Sequence, residues 1–112
     1  MTKQDLPTIE MLRKLLRHEP DTGKLYWLER DVDMFKSGGH GGADASCTAW
    51  NARFAKTEAF TTNLKGYLRG RIFYRKYLAH RVVWALAYGE WPTSEIDHIN
   101  HDKADNRIAN LR

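Results

Sequence analysis

A single cysteine, Cys47, excludes an internal disulfide and the stapled scaffolds of small secreted domains. It also argues against a zinc-structured finger, because one cysteine and scattered histidines give no paired ligands at finger spacing. No apolar run approaches the ~20 residues that cross a bilayer, since lysine or arginine interrupts each one. The start, Met-Thr-Lys-Gln-Asp, lacks the apolar core of a secretory signal, so a soluble, cytoplasmic protein is expected, with no membrane partner. Gly38, Gly39, Gly41 and Gly42 are not followed by the Gly-Lys-Ser/Thr of a phosphate-binding loop, which leaves a connector as their reading. Acids are scarce from Arg53 to Arg81: Glu58 stands alone against eight lysines and arginines, a local net charge of +7.

The chain has 112 residues, room for one compact core, and its 42% hydrophobic and 12% aromatic residues are values of a folding sequence. Its net charge of +4 favours anionic partners, nucleic acid first among them.

Pro7-Thr8 followed by Ile9, Leu12, Leu15 and Leu16 predicts a short amphipathic helix capped by Thr8, and Glu19 to Gly23 a turn. Lys24 to Leu28 favours a strand. Residues 37–46 carry too much glycine for a regular element and are expected to form a mobile loop. Residues 59–62 and 67–79 predict two or three strands, turning at Lys65-Gly66 and at Tyr74-Arg75-Lys76. Basic and apolar residues interleave from Tyr67 to Phe73, which would set arginines on one sheet face. Arg81 to Trp91 has helical spacing ending at Gly89, with Trp84 and Tyr88 read as core. The implied organisation is an N-terminal helix and hairpin over 1–36, a connector over 37–58 and a functional region over 59–112, within one α+β domain.

The chemistry concentrates in the last sixteen residues. Ile96-Asp97-His98-Ile99 alternates as a strand does, with His98 opposite Asp97 and Ile99. A polar loop, Asn100 to Asn106, leads to Arg107-Ile108-Ala109-Asn110-Leu111-Arg112, read as a returning strand. Asp97, His98 and Asn110 could simply stitch a hairpin through side-chain to backbone bonds. The whole pattern, however, resembles the phage-type HNH (ββα-metal) endonucleases: Ile-Asp-His-Ile-Asn, Asp102, Asp105-Asn106-Arg107-Ile and Asn110-Leu111-Arg112. The likeness extends back through Tyr77 to Leu86 and Gly89-Glu90-Trp91-Pro92, and covers about Lys65 to Arg112.

That resemblance implies a small antiparallel sheet with a covering helix, followed by the two strands of the ββα unit. It implies phosphodiester hydrolysis on DNA, as nicking or cleavage. His98 would act as general base, since imidazole changes charge near neutral pH. Asp97 would be the ligand of a divalent metal, Mg²⁺ or Mn²⁺. Asn110 would orient His98 through one ring nitrogen. Lys65, Arg69, Arg71, Arg75, Lys76 and Arg81 are the candidate DNA contacts. Asp102 and Asn106 read as loop-shaping residues, His101 as a surface residue and His80 as a structural histidine.

In the family a helix follows the second strand and brings a further metal ligand, whereas this sequence ends at Arg112. A shortened chain, a degenerate remnant, or a helix supplied by a protein partner or homo-oligomer would each account for that. An uncovered hairpin face at Ile96 and Ile108 would give such a partner a motive. The competing function is a non-catalytic, HNH-derived protein of a phage or mobile element that binds DNA or a nucleoprotein.

Overall fold

The computed structural model describes residues 6–35 and 42–112. Helix α1, Ile9–Leu15, begins where the Thr8 side chain accepts a hydrogen bond from Met11 N at 3.1 Å. It ends where Leu16 turns extended, and its Leu12 and Leu15 are buried. Strand β1, Leu16–His18, pairs antiparallel with β2, Leu25–Trp27, in the register Leu16 to Trp27. β2 also carries β3, Glu58–Ala59, on its other edge. Between β1 and β2, Gly23 closes the turn at φ +78°, its N–H donating to Glu19 O at 2.8 Å.

The second sheet is β4, Thr62–Leu64, β5, Tyr67–Ile72, and β6, Arg75–Leu78, all antiparallel. The Lys65-Gly66 turn lies where the sequence predicts it. The next turn is Phe73-Tyr74, because Ile72 pairs with Arg75; Arg75 and Lys76 therefore belong to β6 and not to the expected turn. Helix α3, Ala79–Tyr88, starts two residues earlier than expected and stops at Gly89, whose φ of +75° lets its N–H reach Ala85 O. It packs on β5 and β6. Trp84 is half-buried and Tyr88 exposed, their rings tilted against each other with centroids 4.5 Å apart, so this pair borders the core instead of filling it.

The expected connector is largely helix. Gly42–Phe54 forms α2, although no residue of it is buried; residues 37–41 of the predicted loop lie outside the described residues. What holds α2 is local: Asn51 Nδ2 donates to Arg30 O at 3.0 Å, and Asn51 Oδ1 accepts from Arg30 N at 2.8 Å.

This is an α+β fold of the expected class, with its strands divided between two small antiparallel sheets. One core joins Leu12, Leu15 and Leu25 from the N-terminal part to Ile72, Val82, Val83 and Leu111. Ile96 and Ile108, expected to be left uncovered, pack against that same core, which removes this motive for a partner. Among the described residues no helix is long and apolar enough to cross a membrane.

Candidate active site

The last segment folds back as expected, yet not as two regular strands. Residues 97 and 112 exchange backbone hydrogen bonds at 2.8 and 3.1 Å, Ile99 N donates to Asn110 O at 2.8 Å, and His98 faces Leu111 in a single bridge. Ile108–Asn110 winds into a 3₁₀ turn where the returning strand was predicted. The pairing survives and the extended backbone does not.

His98 lies at the centre, only 4% exposed. Its Nε2 meets Asn106 Oδ1 at 2.9 Å, and Asn106 is itself fully buried. With the amide oxygen as acceptor, Nε2 carries the hydrogen and Nδ1 keeps its lone pair. The asparagine on the ring is thus Asn106 and not Asn110. The 3₁₀ turn aims Asn110 into the loop, where its Nδ2 donates to Asn100 Oδ1 at 3.0 Å and Asp105 O at 2.8 Å. Its Oδ1 accepts from Asn100 N at 3.1 Å.

The loop is stitched further by its own acids. Asp102 Oδ1 accepts from Ala104 N at 3.0 Å, the turn-shaping role expected of it. Asp105 takes a two-pronged contact from the Arg107 guanidinium at 2.7 and 2.8 Å. That contact holds the Asp105 carboxyl down to about 2, aided by Asn100 and opposed by partial burial.

Two aromatic neighbours flank His98 that the sequence reading did not assign to it. The His80 ring stands edge-on at 5.0 Å between centroids, and Tyr67 lies 5.5 Å from His80 and 6.1 Å from His98. His80 is buried, and its Nδ1 has no hydrogen-bond partner. Burial pushes its imidazole down to about 4, with the adjacent His98 and Arg81 acting in the same direction. The signal for His80 was its place in the first turn of α3, which sets its ring against His98 and Tyr67.

The N-terminal turn supports the loop from behind. A Cβ on Gly23 would collide with Asn106 backbone carbon and Arg107 N. His18 forms a hydrogen bond with the Asn106 backbone, although burial dominates and keeps its imidazole below the ordinary value. Neither residue was singled out as part of the site, because the contact spans more than eighty positions.

Asp97 lies on the exposed side of the hairpin, where its Oδ2 accepts from the Arg112 guanidinium at 3.2 and 3.3 Å. Among the described residues no group of three or more His, Cys, Asp or Glu could hold a metal ion. A hydrated Mg²⁺ keeps several waters and takes one or two carboxylates. The donor set here fits such an ion through Asp97 alone.

On β5, Tyr67, Arg69 and Arg71 alternate with Leu68, Gly70 and buried Ile72, so the two arginines share Tyr67's face. Lys76, opposite Arg71, joins them. Arg75 stands opposite Ile72 at the hairpin end, and Lys65 lies in the β4–β5 turn. These five show no ion pair with the described acids. Arg81 is set apart, half-buried and donating to Pro92 O at 3.5 Å.

Compared with known proteins, residues 77–112 match a family model described as HNH endonuclease. No curated protein and no solved structure matches the chain.

Proposed function

We propose, from the match of residues 77–112 to the HNH endonuclease family model, that the chain hydrolyses phosphodiester bonds of DNA with His98 as general base. The observation that carries this reading is the 2.9 Å bond from His98 Nε2 to Asn106 Oδ1. It fixes the ring and leaves Nδ1 to take a proton from water. Tyr67 and His80 wall the ring, while Arg69, Arg71 and Lys76 extend a basic face from Tyr67 that suits a phosphate backbone. Asp97 is the residue that would hold a divalent metal, Mg²⁺ or Mn²⁺, whose chemistry when bound is to neutralise charge on the phosphate. Asn110 serves the reaction indirectly, by closing the loop that carries Asn106.

The test is nicking of supercoiled plasmid by the wild-type chain and by His98→Ala, with Mg²⁺, with Mn²⁺ and with EDTA. Nicking that needs metal and vanishes in the variant is the expected result. Equal nicking by both proteins would remove His98 from the role.

A second reading, a DNA-binding protein without catalysis, is favoured by two observations: the His98 ring is almost wholly covered, and the Asp97 carboxylate is already engaged by Arg112. It predicts no metal-dependent nicking, with binding that weakens steeply with salt at about 0.9 logarithmic units per neutralised phosphate. Arg69→Ala with Arg71→Ala should lower that slope by roughly 2 if both touch phosphates. An unchanged slope removes them from the interface under either reading.

A further inference from the structure

Resting on the reading of this chain as a protein that acts on DNA, we infer that the β5–β6 hairpin tip and the groove beneath it form a stacking site for an unpaired nucleobase. The preferred substrate is then DNA with locally unstacked nucleotides, such as a bubble or a single strand, and not a uniform duplex.

The tip is the first observation. A two-residue turn whose central residues both have positive φ normally uses Asn and Gly, because side chains with a Cβ are crowded there. Here the positions hold Phe73 at φ +46° and Tyr74 at φ +72°. Neither is repaid by deep burial: Tyr74 is 89% exposed and Phe73 is also exposed. Two large rings displayed to solvent on a strained backbone suit a surface that gains its contacts from a ligand.

The groove is the second. It measures about 670 Å³, and its walls bring together Trp50, Phe73 and Tyr74 with Arg30, Arg69 and Arg71. The Arg30 guanidinium lies 3.9 Å from the Trp50 ring and 5.3 Å from that of Phe73, and its buried Nε–H has no partner. Its one acidic wall residue, Glu58, faces Lys24 at 3.8 Å. Flat rings, arginines and almost no negative charge suit a base with its phosphates, since every base offers a π face and every phosphate an anion. An apolar protein segment would leave these guanidiniums desolvated, so nucleic acid is the occupant that the chemistry selects.

Position is the third. Tyr67, which touches His98, and Arg71, which lines the groove, are four residues apart on β5, about 13 Å at the usual strand rise. That distance is roughly four steps of a stacked DNA strand, and fewer where the strand is unstacked. One bound strand can therefore place a base in the groove and a nearby phosphodiester at His98.

The experiment measures binding in EDTA, so that cleavage does not enter. Two duplexes of equal length, one fully paired and one with a three-nucleotide bubble containing 2-aminopurine, are titrated with the full chain and with Tyr74→Ala. Tyr74 lies outside the core, so the variant keeps the fold, which circular dichroism verifies. The expected result is roughly tenfold tighter binding of the bubble, with a change in 2-aminopurine fluorescence on stacking. Tyr74→Ala should lose roughly tenfold in bubble affinity with the paired duplex unchanged, and Tyr74→Phe should restore it. Equal affinity for both duplexes, or a bubble preference untouched in Tyr74→Ala, would overturn the stacking site while leaving the nuclease reading intact. Binding of neither DNA would overturn both.

Discussion

At His98, the proposed general-base role depends on which asparagine holds the ring. Asn106 and Asn110 lie eight and twelve residues after the histidine, and a hairpin of ideal strands would bring the later one back opposite it. The 3₁₀ turn at Ile108–Asn110 rotates the chain, so Asn110 closes the loop and Asn106 meets the imidazole. Asn106→Ala should therefore reduce plasmid nicking at least tenfold and cost roughly 1–3 kcal/mol, the usual range for one buried bond left unmade. Asn110→Ala deletes three hydrogen bonds and should be the less stable variant in urea, even though it does not touch the ring. The opposite ranking would return Asn110 to the orienting role. The adjacent Asp97-His98 pair could be proposed from sequence because neighbouring residues need no knowledge of the fold. The asparagine's partner was not, because a change of turn type over three residues decides it. Gly23 makes the same point across a longer distance. With its positive φ and no room for a Cβ against the Asn106–Arg107 backbone, Gly23→Ala should lose at least about 2 kcal/mol and depress nicking with it. Full stability in Gly23→Ala would show that the N-terminal turn does not bear on the loop.

Among the elements, those with strong local signals were read from sequence: α1 with its Thr8 cap, the Lys65-Gly66 turn and the glycine stop of α3. Two others run against their local chemistry. The Phe73-Tyr74 turn uses residues that propensity assigns to strands, so the turn was placed one residue late. Helix α2 begins in a glycine-rich stretch and buries no residue, so no apolar periodicity announces it. Its attachment comes from Asn51 gripping both backbone groups of Arg30, and from Trp50, which meets Trp27 edge-on at 5.7 Å. Because so little holds α2, Asn51→Ala should release it locally before the rest unfolds. Amide exchange over Gly42–Phe54 should speed up by roughly tenfold or more, as expected for about 1–3 kcal/mol of lost attachment, while β5 and α3 keep their protection. A global rise in exchange would mean instead that α2 folds as one unit with the core.

Across the whole molecule, the core that binds both ends of the chain also encloses a histidine in its neutral form, and stability inherits a pH dependence from it. His80 has a folded value of about 4 against an ordinary 6.5, because burial disfavours the imidazolium. Between those values the unfolded chain binds more protons, so stability must rise with pH. The contribution is complete above 6.5 and is lost as pH falls toward 4, amounting to roughly 3 kcal/mol at 1.36 kcal/mol per pH unit. Asp105 adds a separate loss at lower pH, from its ordinary 3.8 down to about 2, as protonation breaks the Arg107 contact. Urea unfolding between pH 7.5 and 2 resolves the two, because His80→Leu should reduce the slope of the upper window, to which half-buried His18 also contributes, and leave the lower one. Because His18 adds a slope of its own, part of it persists in His80→Leu; an unchanged slope between pH 4 and 6.5 would show that the buried neutral His80 is not its source.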